Sequence, residues 1–340
     1  MKKKKLLSLL LAAIMLLGLA ACGVKQTGTD DDIRDKTSPG VSDEEQGRHE
    51  GEDSGDGSQD AQKSPKPSES IPEDPAELAV YNLMNGAPTE WKLGQLFIGI
   101  TNGATLAEPF DYQLGGILIQ RERYGLDGYL PGWKEIAEDE FEGYRNGPVW
   151  PVAIGLEYMF DENANVDERS ERIKNLGYDF NIIDVMDESP EACSAMAEHT
   201  APHLMPIIGR WTGQLDVVKY ALTSNSYPAI LINNDAMTPE SLPFAISSTA
   251  CETLRAQAGD NTVLIVDKLD QGHFAGYDKE QSISVQVILA GYDMIITKDF
   301  GEMYREILNA VDSGVIDPQR IDDSCRRVLL WKYNNGLISD

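Results

Sequence analysis

The chain has 340 residues, 41% of them hydrophobic, enough for one large packed domain or two small ones. Its 56 acidic against 29 basic residues give a net charge of −27, which excludes the basic footprint that a nucleic-acid partner requires. Four histidines and four cysteines, with no C-x-x-C or H-E-x-x-H spacing, exclude a zinc motif, and no metal or cofactor is expected.

The first 22 residues, MKKKKLLSLLLAAIMLLGLAAC, join a lysine cluster, a short apolar core and small residues ahead of Cys22. Residues 1–21 read as a secretory signal, too short for a membrane span. The ending Leu19-Ala20-Ala21-Cys22 resembles the bacterial lipobox, whose cysteine is diacylated and becomes the new N-terminus. Cys22 is then a lipidation site, and the protein is expected on the extracytoplasmic face, held to the membrane by that lipid. Cys193, Cys251 and Cys325 remain, an odd number for an exported protein, so at least one buried free thiol is expected.

Residues 22–75 are rich in Asp, Glu, Ser, Gly, Lys and Pro and poor in large apolar side chains. Such a segment buries too little surface to order itself, so it reads as a disordered acidic linker that spaces the folded part from the membrane. His49 falls in it. From residue 76 to 340 the texture is that of one folded domain. A lead-in helix over 75–84 is followed by short apolar runs at 95–100, 116–120, 150–156, 179–184, 203–208, 228–233, 262–267 and 293–297. Amphipathic stretches at 132–144, 167–176, 190–199, 215–223, 247–257 and 280–290 separate most of them, and two further helices fall between 303 and 331. Eight strand–helix units in this length predict a single α/β (β/α)8 TIM-like barrel with extra C-terminal helices, and a doubly wound sheet with fewer strands is the alternative.

The stretch 252–270, ETLRAQAGDNTVLIVDKLD, is the one the domain is organised around. A helix end, a turn at Gly259-Asp260-Asn261 and the run 262–266 lead to Asp267 at the C-terminal end of a strand. The unbroken apolar run suits a strand buried on both faces of a parallel sheet. A carboxylate at such a strand end lies where α/β folds bind ligands, or else it caps the following segment.

With the strands placed, the chain resembles the N-terminal barrel of glycoside hydrolase family 3, in its single-domain β-N-acetylglucosaminidase branch. The resemblance runs along nearly all of residues 91–337: WKLGQLFIGI, LGGILIQRER, PVAIGLEY and LGYDFNIIDV match the first four strands. SSTACETLRAQAGDNTVLIVDKL, VQVILAGYDMII and GVIDPQRIDDSCRRVLLWKYNNGL match in order and spacing further on. The resemblance implies that Asp267 is the nucleophile of a retaining glycosidase, with Lys268 where a second Asp is common. A carboxylate is needed there to attack the anomeric carbon, and a second group must protonate the leaving oxygen.

The family pattern departs where the rest of that chemistry should stand. The stretch IIGRWTGQLD (residues 207–216) lacks the family's Lys-His-Phe-Pro-Gly-His-Gly motif and the histidine loop after it. Gly155 replaces a sugar-binding Asp in the third-strand motif, Tyr158-Met159 replace its Gly pair, and Glu157 survives. His273, six residues beyond Asp267, is the histidine within sequence reach of the site, with a surface or packing role as its alternative. Arg210 and Trp211 could line a sugar site, as could Glu157, which could also substitute as the acid/base, while a core or rim tryptophan is the alternative for Trp211. Two readings therefore stay open. One is an exported glycosidase acting on β-linked N-acetylglucosamine in a glycan. The other is a degenerate barrel, a pseudoenzyme, that binds a glycan or protein partner at the cell surface. A two-lobed solute-binding lipoprotein is a third, and one continuous run of eight units speaks against it.

Overall fold

The computed structural model describes residues 71–101, 111–119, 133–146, 148–156, 171, 173–184, 205–211, 229–234, 236–269, 274–278 and 280–339. The signal, the acidic linker up to residue 70, and the helices expected at 190–199 and 215–223 lie outside the described residues, as does part of the one expected at 167–176. All described residues fall in one compact unit, Pro67–Asp340.

Eight parallel strands close into a barrel, each paired with the next and the last with the first. They are β1 (Phe97–Thr101), β2 (Gly116–Ile119), β3 (Ala153–Leu156), β4 (Phe180–Asp184), β5 (Met205–Trp211), β6 (Ala229–Ile232), β7 (Val263–Val266) and β8 (Met294–Thr297). All eight expected runs are strands, and the closed barrel replaces the doubly wound alternative. Runs such as AILI and VLIV are buried at every position because alternate residues face the barrel axis and the surrounding helices. Ile98, Leu118, Phe180, Ile182, Leu231, Val263, Ile265, Met294 and Ile296 form one interior cluster. Their outward neighbours, such as Ile117, Ile154, Leu264 and Ile295, pack in separate clusters under the helices.

The helices are α1 (Pro75–Met84), α2 (Thr89–Gly94), α3 (Trp133–Asn146), α4 (Ser248–Ala258), α5 (Ile283–Ala290), α6 (Phe300–Asp312) and α7 (Pro318–Asn334). Local chemistry sets several of their ends. The Asp74 side chain accepts from the Glu77 N–H at 3.1 Å ahead of Pro75, and Ser247 accepts from Ala250 N–H at 3.2 Å to start α4. Gly259 ends α4 at φ +91°, a conformation glycine adopts without penalty. The six-residue α2 runs directly into β1 and was not expected, because one and a half turns carry too little periodicity to read.

The extra C-terminal helices α6 and α7 are present, and α7 closes the N-terminal end of the barrel. Val328 and Trp331 join the interior cluster, and the Trp331 ring lies 6.2 Å from that of Phe180. Beside them Lys332 is fully buried, and its Nζ donates to Gln95 Oε1 and to Pro151 O at 2.6 Å each. Asp293, just before β8, is also fully buried. Its Oδ2 accepts from Arg255 at 2.7 Å and Leu264 N–H at 3.0 Å, and its Oδ1 accepts from Ser324 at 2.7 Å and Arg327 at 3.0 Å. One carboxylate thus joins α4, β7, β8 and α7. Cys251 and Cys325 are buried free thiols, as the odd count implied.

Burial lowers the Lys332 amine to a pKa of about 7. An unfolded lysine titrates near about 10.4, so this contribution to stability is present above that pH and is lost as pH falls through about 7. Burial pushes the Cys251 thiol up to about 11 and raises Cys325 further, so their contributions are lost as pH rises beyond the ordinary thiol range. Unfolding free energy is therefore expected to climb from about pH 7 to a maximum near about pH 9. Lys332→Met removes the climb, which denaturant melts across this range measure directly; a flat wild-type profile would contradict it.

Candidate functional site

The C-terminal ends of all eight strands meet at one mouth of the barrel, where Asp267 follows β7. The two-residue period that turns Val263 and Ile265 inward carries Asp267 to the same side. Asp267 is 7% exposed, so it is buried at this end of the barrel. Its backbone N–H donates to Ile232 O at 3.0 Å, extending the β6–β7 ladder one residue past the strand. At this burial it is not a free surface acid. The next described helix, α5, starts at Ile283, with Ser282 as its N-cap residue.

The chain then turns sharply. Lys268 adopts φ +31°, an unusual value for a residue with a side chain. Asn234, two residues beyond β6, donates from Nδ2 to Lys268 O at 2.8 Å. Leu269 N–H donates to Ile296 O at 2.8 Å, and Thr297 Oγ1 donates to Leu269 O at 3.1 Å. Residues 267–269 are thereby gripped in turn by β6, by Asn234 and by the end of β8.

The loops beside the site are built, not open. After β6, Thr238 N–H donates to Leu242 O at 2.8 Å and Phe244 N–H to Ala236 O at 2.9 Å, forming a small ribbon. In the loop after β7, the Tyr277 hydroxyl donates to Ser241 O of that ribbon at 3.3 Å. Tyr292 O–H donates to Phe244 O at 2.5 Å and anchors the ribbon's far end. Burial raises the Tyr292 phenol above its ordinary value, so it stays protonated as a donor.

Gly155 shows what the altered third-strand motif means physically. A Cβ at this position would lie 2.0 Å from Cε2 and Cζ of Phe180, its partner on β4. At Gly116 on β2 a Cβ would meet the same ring at 3.6 Å. The Phe180 ring occupies the space of a side chain at position 155, so the substitution read as a lost contact is also a packing solution. The other sequence-derived candidates are placed only in part. Arg210 and Trp211 lie at the C-terminal end of β5, and Asp184 ends β4, but their side chains lie outside the described residues. Glu157, His273 and Cys22 lie wholly outside them.

Asn234 and Thr297 were missed as site-supporting residues. The signal available was weak: polar residues directly after the apolar runs of β6 and at the end of β8.

The chain is a closed eight-stranded α/β barrel with a buried carboxylate residue after β7, and the C-terminal mouth is where barrels of this fold carry their ligand sites. No protein-family model matches the sequence, and no curated protein does. Solved structures do match. A glycoside hydrolase family 3 β-N-acetylglucosaminidase from a Paenibacillus species superposes with a TM-score of 0.58 at 15% identity, covering 75% of this chain and 64% of that one. A family 3 glycosyl hydrolase from Mycobacterium smegmatis gives 0.57 at 17% identity, over 75% of this chain and 98% of that one. An exo-1,3/1,4-β-glucanase from a Pseudoalteromonas species gives 0.61 at 16%, over 78% and 44%. The chain thus has the barrel fold that these family 3 glycoside hydrolases share, as its motifs implied, and it spans about two thirds of the first of them.

Because an added methyl group at position 155 meets an aromatic ring head-on, Gly155→Ala is expected to destabilise the barrel by about 1–3 kcal/mol. Adding Phe180→Leu should recover part of that loss, a coupling that a double-mutant cycle of denaturant melts measures. Full stability of Gly155→Ala alone would show that the ring moves aside freely.

Proposed function

We propose that this chain is an exported, lipid-anchored glycosidase of the family 3 type, acting on β-linked N-acetylglucosamine in a cell-wall or dietary glycan. The observation that supports the reading is the buried Asp267 directly after β7, on a turn whose backbone is held by β6, Asn234 and β8. A nucleophile needs rigid placement more than mobility, and strand ends supply it. In this reading an Asp267 oxygen attacks the anomeric carbon while a proton donor about 5–5.5 Å away protonates the departing oxygen. Water, deprotonated by the same donor, then hydrolyses the glycosyl ester. Glu157 and His273 are the candidate donors, and Arg210 and Trp211 the candidate sugar contacts. The signal at residues 1–21, lipidation of Cys22, and the linker at 22–75 ahead of the domain at 76–340 would place this site outside the cytoplasm, at tether's length from the membrane.

Purified 76–340 domain is expected to release the chromophore from an aryl β-N-acetylglucosaminide, with Asp267→Ala lowering the rate at least about 10³-fold. Cys22→Ala in the full chain should move the protein from the membrane fraction to the soluble one.

One observation favours a second reading, a glycan-binding barrel without turnover. Phe180 fills the place of a polar side chain at position 155. No release across a panel of aryl glycosides, together with calorimetric binding of chito-oligosaccharides, would establish that reading in place of the first.

A further inference from the structure

We propose that Lys332 is a proton-operated catch on α7: as a neutral amine it ties the helix to the N-terminal end of the barrel, and on taking a proton it turns to Asp179 and loosens that tie. The inference goes beyond the glycosidase reading and does not depend on turnover. Three observations carry it.

The first is the match of donors to acceptors. Lys332 is fully buried on the last turn of α7, and its Nζ donates to Gln95 Oε1 and to Pro151 O at 2.6 Å each. Among the described residues it makes no further hydrogen bond and no ion pair. A neutral amine has two N–H donors and an ammonium three. The surroundings therefore satisfy the neutral form and leave one donor of the charged form without an acceptor. The Nε1 of the adjacent Trp331 is also buried without an acceptor, which marks this layer as poor in them.

The second is the set of charges around the amine. Ahead of β4 stands Asp179, whose Oδ1 accepts from Arg145 of α3 at 3.0 Å and whose Oδ2 accepts from Ile154 N–H at 2.9 Å. On α7 itself stands Cys325, a buried thiol two helical turns earlier, and beyond it Asp322, paired to Lys92 of α2 at 2.9 Å. Gln95 and Pro151, the contacts from the β1 and β3 sides, are uncharged. Burial keeps the Cys325 thiol protonated, which leaves Asp179 as the negative charge acting on Lys332. A carboxylate oxygen accepts more than one donor, so Asp179 can take the ammonium without releasing Ile154 N–H.

The third is a cavity. Asp179 and Arg145 line a space of about 250 Å³ together with Lys174, Asn335, Gly336 and Leu337. The residues that follow Lys332 are thus walls of the space beside Asp179, and the end of α7 has room to move. Leu337 N–H donates to Lys332 O at 2.9 Å, so a displacement of Lys332 is passed to that wall. Burial places the exchange near neutral pH: the amine is neutral above about 7 and charged below it. Loss of stability in acid follows from burial alone, whereas the catch gives the charged amine a destination.

The test follows the lysine ε-carbons of the full chain by carbon-13 NMR, with the Lys332 resonance assigned by its loss in Lys332→Met. Where that variant fails to fold, the resonance is the lysine carbon that titrates near neutrality while exposed lysines titrate near about 10.4. Asp179→Asn is expected to lower the Lys332 midpoint by at least about half a pH unit, an about threefold change in the protonation equilibrium. Arg145→Ala, which frees Asp179 of its competitor, should raise it, and serves where Asp179→Asn fails to fold. Hydrogen exchange of Leu337 N–H, corrected for its intrinsic dependence on pH, should accelerate about 10-fold as wild type passes below the midpoint. In Asp179→Asn that acceleration should move to lower pH together with the amine. A Lys332 that stays charged up to about pH 9 overturns the proposal, as does a midpoint that neither variant moves. Unchanged protection of Leu337 overturns it too, because a purely electrostatic response would leave that hydrogen bond closed.

Discussion

Much of the domain rests on one buried carboxylate at the end of the barrel opposite the site. Asp293 is removed from water completely, and its two oxygens collect four close donors: two guanidinium groups, one hydroxyl and one backbone N–H. A buried charge is tolerable only when so satisfied, and leaving it or its arginines unpaired costs about 3–5 kcal/mol. The backbone N–H among those donors belongs to Leu264, and Asp293 N–H donates back to Leu264 O at 2.8 Å. The group that ties α4 and α7 to the barrel therefore also sets how β7 lies against β8.

That register travels up the two strands to the site. Ile265 pairs with Met294 and Val266 with Ile295, and one step later Leu269 N–H meets Ile296 O. A slip of one residue would exchange the inward and outward faces of β7, turning Asp267 toward the helices and Val266 toward the mouth. Placement of the candidate nucleophile is in this sense determined at the far end of the barrel. The two ends also differ in chemistry. The N-terminal end is closed by Trp331, Lys332 and a lattice of arginine bonds, whereas the C-terminal end carries the buried Asp267.

The sequence made the strands legible because barrel strands are buried on both faces, so each is a short unbroken apolar run between turn residues. Asp267 was legible for the same reason, as the first charge after such a run. What pairs across the chain was not. Asn234 and Lys268 are 34 residues apart, and nothing in either neighbourhood marks a hydrogen bond between them. Gly155 is the instructive case. Read along the chain it is a missing carboxylate; beside Phe180 it is the only residue small enough for the ring. A one-dimensional motif records the loss of a polar group but not the aromatic side chain, 25 residues on, that takes its room.

The Gly155–Phe180 pair also bears on how a site of this kind can change without losing its fold. In a barrel whose interior is filled by layers of side chains, enlarging one residue of a layer must be matched by shrinking its neighbour, or the strands are pushed apart. Trading a polar side chain on β3 for an aromatic one on β4 preserves the layer and so preserves the barrel. It does not disturb β7, which lies across the axis and takes its position from Asp293 and from its own ladder. Rate and structure therefore separate. A missing general acid lowers turnover by about 10²–10⁴, while the described backbone hydrogen bonds of the turn that carries the candidate nucleophile come from β6 and β8. Asp267 would persist in a slow enzyme and in a binding protein alike. It is the side chains that face it across the mouth, and not the acid itself, that decide between the two.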